Sequence, residues 1–440
     1  VPSPTVPDLS AETPEQPQAR RRPSPAQYRR RRIVALLVAL VVLAVVGGGG
    51  AYAANAAGAP LPLATTEAEV PVQPSIDAPV IAWPGYGSGA IGAVGFEGAL
   101  DQGVLAQYGS GDTLPIGSIA KVVTALVVLD AKPLADGEEG PTITFTTEDV
   151  QYYNDSVAEN GSVAPVSAGL ELTEKEALTV MLVPSANNYA KSLAIWAFGS
   201  MDAFFDAARS WLDAHALPQT SMADASGLSP ATVSTTTEMV ALGELLVADP
   251  VLASIVAVQN ITIPGVGALE NTNALLGING IDGIKTGTTD EAGACLLFSL
   301  DATIDGNTLT IVGVVVGAAT HPQLASDILA MLPSFQAGFH TVSLTTAGTD
   351  YGDFDSVWGE SADAVSTADA SAFVWGGVTA STVVDLTPLS TIADGSSVGT
   401  ATVTVNGVDH EIPLSAKGSI VDPGFGWRVT HPDELFAPAA

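Results

Sequence analysis

Cysteine is nearly missing from the chain. Cys295 is the single one in 440 residues, which excludes an intrachain disulfide framework and a cysteine-built zinc site. The five histidines, His215, His321, His340, His410 and His431, are scattered without ligand spacing, so no metal is expected. No cofactor is expected either. Basic residues are also scarce: 15 Lys and Arg stand against 47 Asp and Glu, a formal net charge of -32. Seven of the 15 are Arg20, Arg21, Arg22, Arg29, Arg30, Arg31 and Arg32, which leaves eight for everything downstream. A phosphate backbone needs a basic face, so nucleic acid is excluded as a partner of the body of the protein. Charged residues of both signs make up 14% of the chain, and the 47% that are hydrophobic rule out wholesale disorder. The length suits two or three domains.

Residues 1–28 are rich in Pro, Gln, Glu and Arg and read as a disordered tail. Four arginines then abut an apolar run at 33–46, and no charge recurs until Glu67. With the glycines and alanines that follow, the uncharged stretch reaches the roughly 20 residues a bilayer needs. The arginines would hold the tail in the cytoplasm and send the rest outside. A cleaved signal peptide, which would leave the protein secreted, is the rival: the strongly apolar part is 14 residues and Ala51-Tyr52-Ala53 resembles a cleavage site. The long tail before the arginines favours an anchor. Segments 29–54 and 55–80 are therefore expected as transmembrane helix and linker.

Beyond the linker, apolar runs at 90–96 and 103–108 predict a hairpin. Helical spacing over 118–131 predicts a helix containing Ile119, Val122, Val123, Leu126 and Leu129, and 142–145 reads as a strand. Thr173 with Glu176 is a capping-box pattern opening a helix that Pro184 stops. Further helices are expected at 185–198, 201–215 and 236–247. Strands follow at 283–289, 294–304 and 308–317, the last two joined at Asp305-Gly306, and a helix at 322–339 closes the unit. The fold class is α/β (α+β), one antiparallel sheet with helices against it. After about 345 the helix signal disappears and short β-branched runs predict a small all-β module. The expected domains are 81–345 and 346–440.

Three short patterns occur in order: Ser118-Ile119-Ala120-Lys121, Ser185-Ala186-Asn187, and Lys285-Thr286-Gly287 followed by Thr288. Each alone is weak, but the ordered set is far less probable by chance. Ser118 and Lys121, three apart at a helix start, lie on one face, within reach of each other. A serine hydroxyl needs a base in contact, and lysine qualifies when burial and a second cation depress its pKa. Lys285 is a candidate for that cation; charged, it also suits an anionic substrate group, with Thr286 donating to the same carboxylate. Gly287 lets a backbone approach closely, as when a peptide pairs with an edge strand. The amides of Ser118 and Thr288 are candidates for an oxyanion hole.

The set resembles the penicillin-recognising serine peptidases, and within them the low-molecular-mass penicillin-binding proteins that act as D-Ala-D-Ala carboxypeptidases. Asp224-Ala225-Ser226-Gly227-Leu228, Asn271-Thr272-Asn273 and Ala292-Gly293-Ala294-Cys295 resemble the same family, over about residues 80–340. The resemblance implies a β-lactamase/transpeptidase-like fold, peptidoglycan stem peptides ending in D-Ala-D-Ala as substrate and β-lactams as covalent inhibitors. It implies these roles: Ser118 nucleophile, Lys121 general base, Ser185 proton relay, Asn187 a substrate and lysine contact, Lys285 and Thr286 carboxylate recognition. A second, all-β domain often follows in the family. Ile119-Ala120 stands where the family often has a hydroxyl residue, a difference expected to alter packing more than chemistry. The end of the chain is too short and acidic for the amphipathic membrane helix many members carry.

Rival readings are a β-lactamase of related fold and a catalytically silent wall-binding scaffold. The first lacks a Glu-x-x-x-Asn pattern between the second and third motifs, and intact Ser118, Lys121 and Lys285 argue against the second. An endopeptidase acting on cross-links stays open within the family. Cys295, in an apolar strand, is expected to be a buried small hydrophobe, and Trp358, Trp375 and Trp427 are expected to pack rather than to form a saccharide platform.

Overall fold

The computed structural model describes residues 24–96 and 103–437; the greater part of the expected tail, residues 1–23, lies outside them. The apolar segment forms one helix, Pro25–Gly58, opened by a capping box between Ser24 and Gln27. It is longer than the expected 29–54 at both ends. Its apolar side chains are exposed, and it is long and apolar enough to cross a membrane.

Two antiparallel sheets organise the rest. The first has five strands in the order Ile281–Thr289, Gly293–Ile304, Asn307–Ala318, Ser88–Val94 and Ala106–Tyr108. Helices cover both of its faces. On one, Leu297, Val312 and Val314 pack into a core with Val122, Val123 and Leu126 of the helix Ala120–Ala131 and Met239 and Leu242 of Thr236–Ala248. On the other, Leu296, Phe298, Ile311 and Val315 meet Leu324, Ile328 and Phe335 of His321–Gln336. Coverage on both faces explains why residues 294–300 are buried without alternation. Residues 120–129 are likewise all buried, so that helix is a core element rather than a surface amphipath.

The expected capping box is present: Thr173 N donates to Glu176 Oε2 at 2.8 Å and Glu176 N to Thr173 Oγ1 at 3.1 Å. The helix it opens, Glu174–Leu182, ends just before Pro184. A second capping box, Thr146 with Asp149, opens the unforeseen helix Thr147–Ala158. The last helix of this unit stops at Gln336, because Phe339–Thr345 pairs as a strand with Ala370–Trp375.

The second sheet has six strands in the order Thr65–Ala68, Asp350–Asp355, Ser361–Ser366, Val408–Gly418, Ser397–Val405 and Ala380–Leu386. Tyr351, Phe354, Val398, Val403, Ile412 and Leu414 build its core. Three expectations change here. The 55–80 stretch is not simply a linker: Thr65 lies opposite Asp355 and Ala68 opposite Gly352, an added edge strand. Phe339–Thr345 pairs with a strand beyond the boundary expected at 345/346. Helix also returns after 345, in the short Gly424–Thr430 and Pro432–Leu435.

Candidate active site

Ser118 stands on a single helical turn, Gly117–Ile119, leading directly into Ala120–Ala131. One turn on, Lys121 is fully buried. Its Nζ lies 2.8 Å from Ser118 Oγ, 2.7 Å from Asn187 Oδ1 and 3.0 Å from the Ser226 carbonyl oxygen. Burial, and then the nearby charge of Lys285, hold the Lys121 ammonium well below the usual lysine range, against a smaller opposing pull from Asp224. A neutral amine has two protons and one lone pair. Asn187 and Ser226 accept the two protons, leaving the lone pair for the Ser118 hydroxyl proton.

The carbonyl of Ser226 is aimed by a tightly bonded loop. Asp224 Oδ2 accepts from Ser226 N (3.2 Å), Ser226 Oγ (2.7 Å) and Leu228 N (3.0 Å), and Oδ1 accepts from Thr232 Oγ1 (2.6 Å). Gly227, at φ +80°, allows this loop to lie against the Ser118 turn; a Cβ there would fall 1.8 Å from the Gly117 carbonyl oxygen. Ser185 is buried in the turn between Glu174–Leu182 and Asn187–Phe198, with a left-handed backbone at φ +65°. Such a conformation costs a non-glycine residue about 1–3 kcal/mol and concentrates at functional sites. Ser185 is not among the direct partners of Lys121, which are Ser118, Asn187 and Ser226.

The third motif runs along Ile281–Thr289, an edge strand of the five-stranded sheet. Burial pushes the Lys285 ammonium down to about 7, and its Nζ donates to the Thr286 carbonyl at 3.2 Å. Thr286 Oγ1 shares a 2.5 Å hydrogen bond with Thr272 Oγ1. A Cβ on Gly287 would stand 2.9 Å from the Ile116 carbonyl oxygen and 3.2 Å from the Ser118 amide, so glycine lets the strand pass against the serine turn. A Cβ on Gly117 would meet the Thr288 amide at 3.1 Å. The Ser118 and Thr288 amides thus flank one spot beside the hydroxyl, as an oxyanion hole requires.

The structure therefore gathers Ser118, Lys121 and Asn187 by direct hydrogen bonds and brings Lys285, Thr286, Gly287 and Thr288 alongside, with Ser185 in the adjoining turn. Two participants were not foreseen. The Ser226 carbonyl is a backbone atom and carries no sequence signature. His321 Nε2 lies 2.6 Å from Thr288 Oγ1; burial, then the charge of Lys285, hold its imidazole below the usual range. Beside the Asn187 and Ser226 wall opens a cavity of about 480 Å³, also lined by Tyr152, Asp155, Glu159 and Lys191. Among the described residues no cluster of His, Cys, Asp and Glu forms a metal site. Cys295 is buried, its thiol pushed up to about 11 by that burial.

A hydroxyl against a buried neutral amine, beside two convergent amides, is equipped for acyl transfer through a serine ester. Residues 101–320 match a family model described as D-alanyl-D-alanine carboxypeptidase, and the chain belongs to that family. It is 26% identical over 267 residues to D-alanyl-D-alanine carboxypeptidase DacA of Escherichia coli K12, covering 60% of this chain and 64% of that one. It is 31% identical over 198 residues to a D-alanyl-D-alanine endopeptidase of Pseudomonas aeruginosa, covering 42% and 58%. The chain thus spans just under two thirds of the length of these curated relatives. Penicillin binding protein 5 from Haemophilus influenzae shares the fold at 19% identity with a TM-score of 0.53, over 80% of this chain and 99% of that one.

Proposed function

We propose that the protein is a serine D-Ala-D-Ala carboxypeptidase that removes the terminal D-alanine from peptidoglycan stem peptides. The observation that carries this reading is Lys121, buried, depressed in pKa and 2.8 Å from Ser118 Oγ. Lys121 takes the Ser118 proton as Oγ attacks the penultimate D-Ala carbonyl, and the Ser118 and Thr288 amides receive the developing oxyanion. The C–N bond then breaks, the leaving amine takes a proton through Lys121 with Ser185 as relay, and D-Ala departs. Water, giving a proton to Lys121, attacks the ester and frees the shortened peptide and Ser118. Asn187 holds Lys121 and the substrate, while Lys285 and Thr286 bind the terminal carboxylate.

In this reading residues 1–28 are a cytoplasmic tail, the helix Pro25–Gly58 anchors the chain in the membrane, and both sheets lie outside the cytoplasm. The catalytic unit is the five-stranded sheet with its helices; the six-stranded unit is accessory. β-Lactams acylate the same serine. Intact-protein mass spectrometry after penicillin treatment tests it: one penicilloyl adduct is expected on the wild type and none on Ser118→Ala. A persistent adduct on the variant overturns the assignment, and rapid loss of the wild-type adduct points to a β-lactamase. The 31% identity to an endopeptidase keeps cross-link cleavage as a second reading. Release of free D-Ala from a D-Ala-D-Ala tripeptide, against cleavage of a cross-linked dimer, decides between them.

A further inference from the structure

The anchor helix does not leave the membrane into open space. Arg29, Arg30, Arg31 and Arg32 mark one edge of the bilayer. Residues 33–52 follow without a charge, and twenty helical residues rise about 30 Å, the thickness of the hydrocarbon core. Tyr52 therefore stands at the far interface, where its ring and hydroxyl suit the headgroup level. There its hydroxyl donates to the Val429 carbonyl at 2.9 Å. Seven residues on, the Ala59 carbonyl accepts from Arg428 Nη1, and Arg428 is held in turn by Asp422 at 2.7 Å. The helix Gly424–Thr430 is thereby fixed at the height where the anchor leaves the bilayer.

Around that point the chain exposes large apolar side chains. Phe425 is 57% exposed, Val421 54% and Phe436 45%. Trp427, half-buried, stacks on His431 and meets Trp358 edge-on at 5.5 Å. Gly424 and Gly426 give this seven-residue helix poor intrinsic propensity, and no side chain caps it, so packing on the anchor holds it. Asp433 and Glu434 are exposed nearby, so attraction to anionic lipid is not the driving force; apolar burial is.

Resting on the reading of Pro25–Gly58 as a membrane helix, we propose that residues 421–436 form a second membrane contact, dipping Phe425, Val421 and Phe436 into the lipid interface. The occupant of this patch is the lipid surface itself, because the patch is continuous with the anchor's exit. Two contacts, with Thr65–Ala68 entering the six-stranded sheet soon after the anchor, hold that sheet upright on the membrane and hold the five-stranded unit away from it.

The test places a bimane label on the full chain in phosphatidylcholine nanodiscs, at Phe425→Cys, Leu43→Cys or Val157→Cys, in a Cys295→Ala background. Lipid spin-labelled near the top of its acyl chains should lower the emission at position 425 about twofold or more and leave position 157 unchanged. Position 425 behaving like position 157 while position 43 is quenched overturns the second contact alone. An unquenched position 43 overturns the membrane reading of the helix, and the second contact with it. Phe425→Ser with a label at Val421→Cys is the companion variant: quenching should weaken, and undiminished quenching counts against Phe425 as an insertion point.

Discussion

The two sheets of the molecule bury very different groups. Around the five-stranded sheet, Lys121, Lys285, Glu174, Glu238, Asn187 and Asn273 are all buried. From Phe339 onward, among the described residues, the buried polar groups are Thr345, Ser356 and Ser366, and none is charged. Taking a charge out of water costs several kcal/mol unless it is compensated. The chain accepts that cost in the unit with the serine–lysine site and avoids it in the other. One unit therefore gives up stability for a depressed lysine, and the other is held by packing alone.

The comparison breaks most sharply at Lys121. Lys121→Met should slow penicillin acylation by about a thousandfold or more, while thermal unfolding shifts little or upward because a buried amine has gone. Stopped-flow acylation within tenfold of wild type would sink the base assignment. The reverse is expected in the second sheet. Phe354, fully buried, should cost about 3–5 kcal/mol as Phe354→Ala in denaturant unfolding, with acylation per folded molecule unchanged; a parallel loss of acylation would tie the two units together.

A smaller effect separates the two lysines by pH. Lys285, held near 7, loses its proton as pH rises through that value, and with it the charge that binds a carboxylate. KM for a D-Ala-D-Ala peptide should climb above about pH 7 in the wild type, and Lys285→Arg, charged throughout, should move that limb upward. A KM flat to pH 9 in the wild type contradicts the carboxylate role.

The smallest effect concerns Glu174, buried with neither carboxylate oxygen hydrogen-bonded and pushed up to about 7 by burial. Its folded form holds a proton that the unfolded chain, with a carboxyl near 4.5, has lost. That contribution is complete below about 4.5 and disappears as pH rises through about 7. Glu174→Gln should raise Tm at pH 8 by a few degrees and change it little at pH 4.5. Equal shifts at both pH values would exclude the titration.

What was legible came from strong local signals. The Thr173 and Glu176 capping box, the turn at Asp305-Gly306 and the continuous apolar runs at 294–304 and 308–317 each specify their own element. Thr147–Ala158 escaped because its face is polar, with no fully buried residue. Thr65–Ala68 escaped because its four exposed residues owe their strand to a partner 290 residues away. Gly424–Thr430 carries two glycines and forms against the anchor helix, a contact no local window contains.

The candidate site divides in the same way. Residue types, order and spacing along the chain determined the chemistry on offer: a hydroxyl one turn from an amine, an amide, and a Lys-Thr-Gly strand thin enough to pass the serine. Spacing could not determine protonation. The partners of the Lys121 amine are 66 and 105 residues away in Asn187 and Ser226, and its neighbouring cation lies on another sheet strand. Its pKa follows from burial and from that cation, and both exist only when the sheet, the Asp224 loop and the two helices close around it. Folding is thus what turns an ordinary lysine into a base, because solvent exclusion and the approach of like charge are properties of the assembled interior.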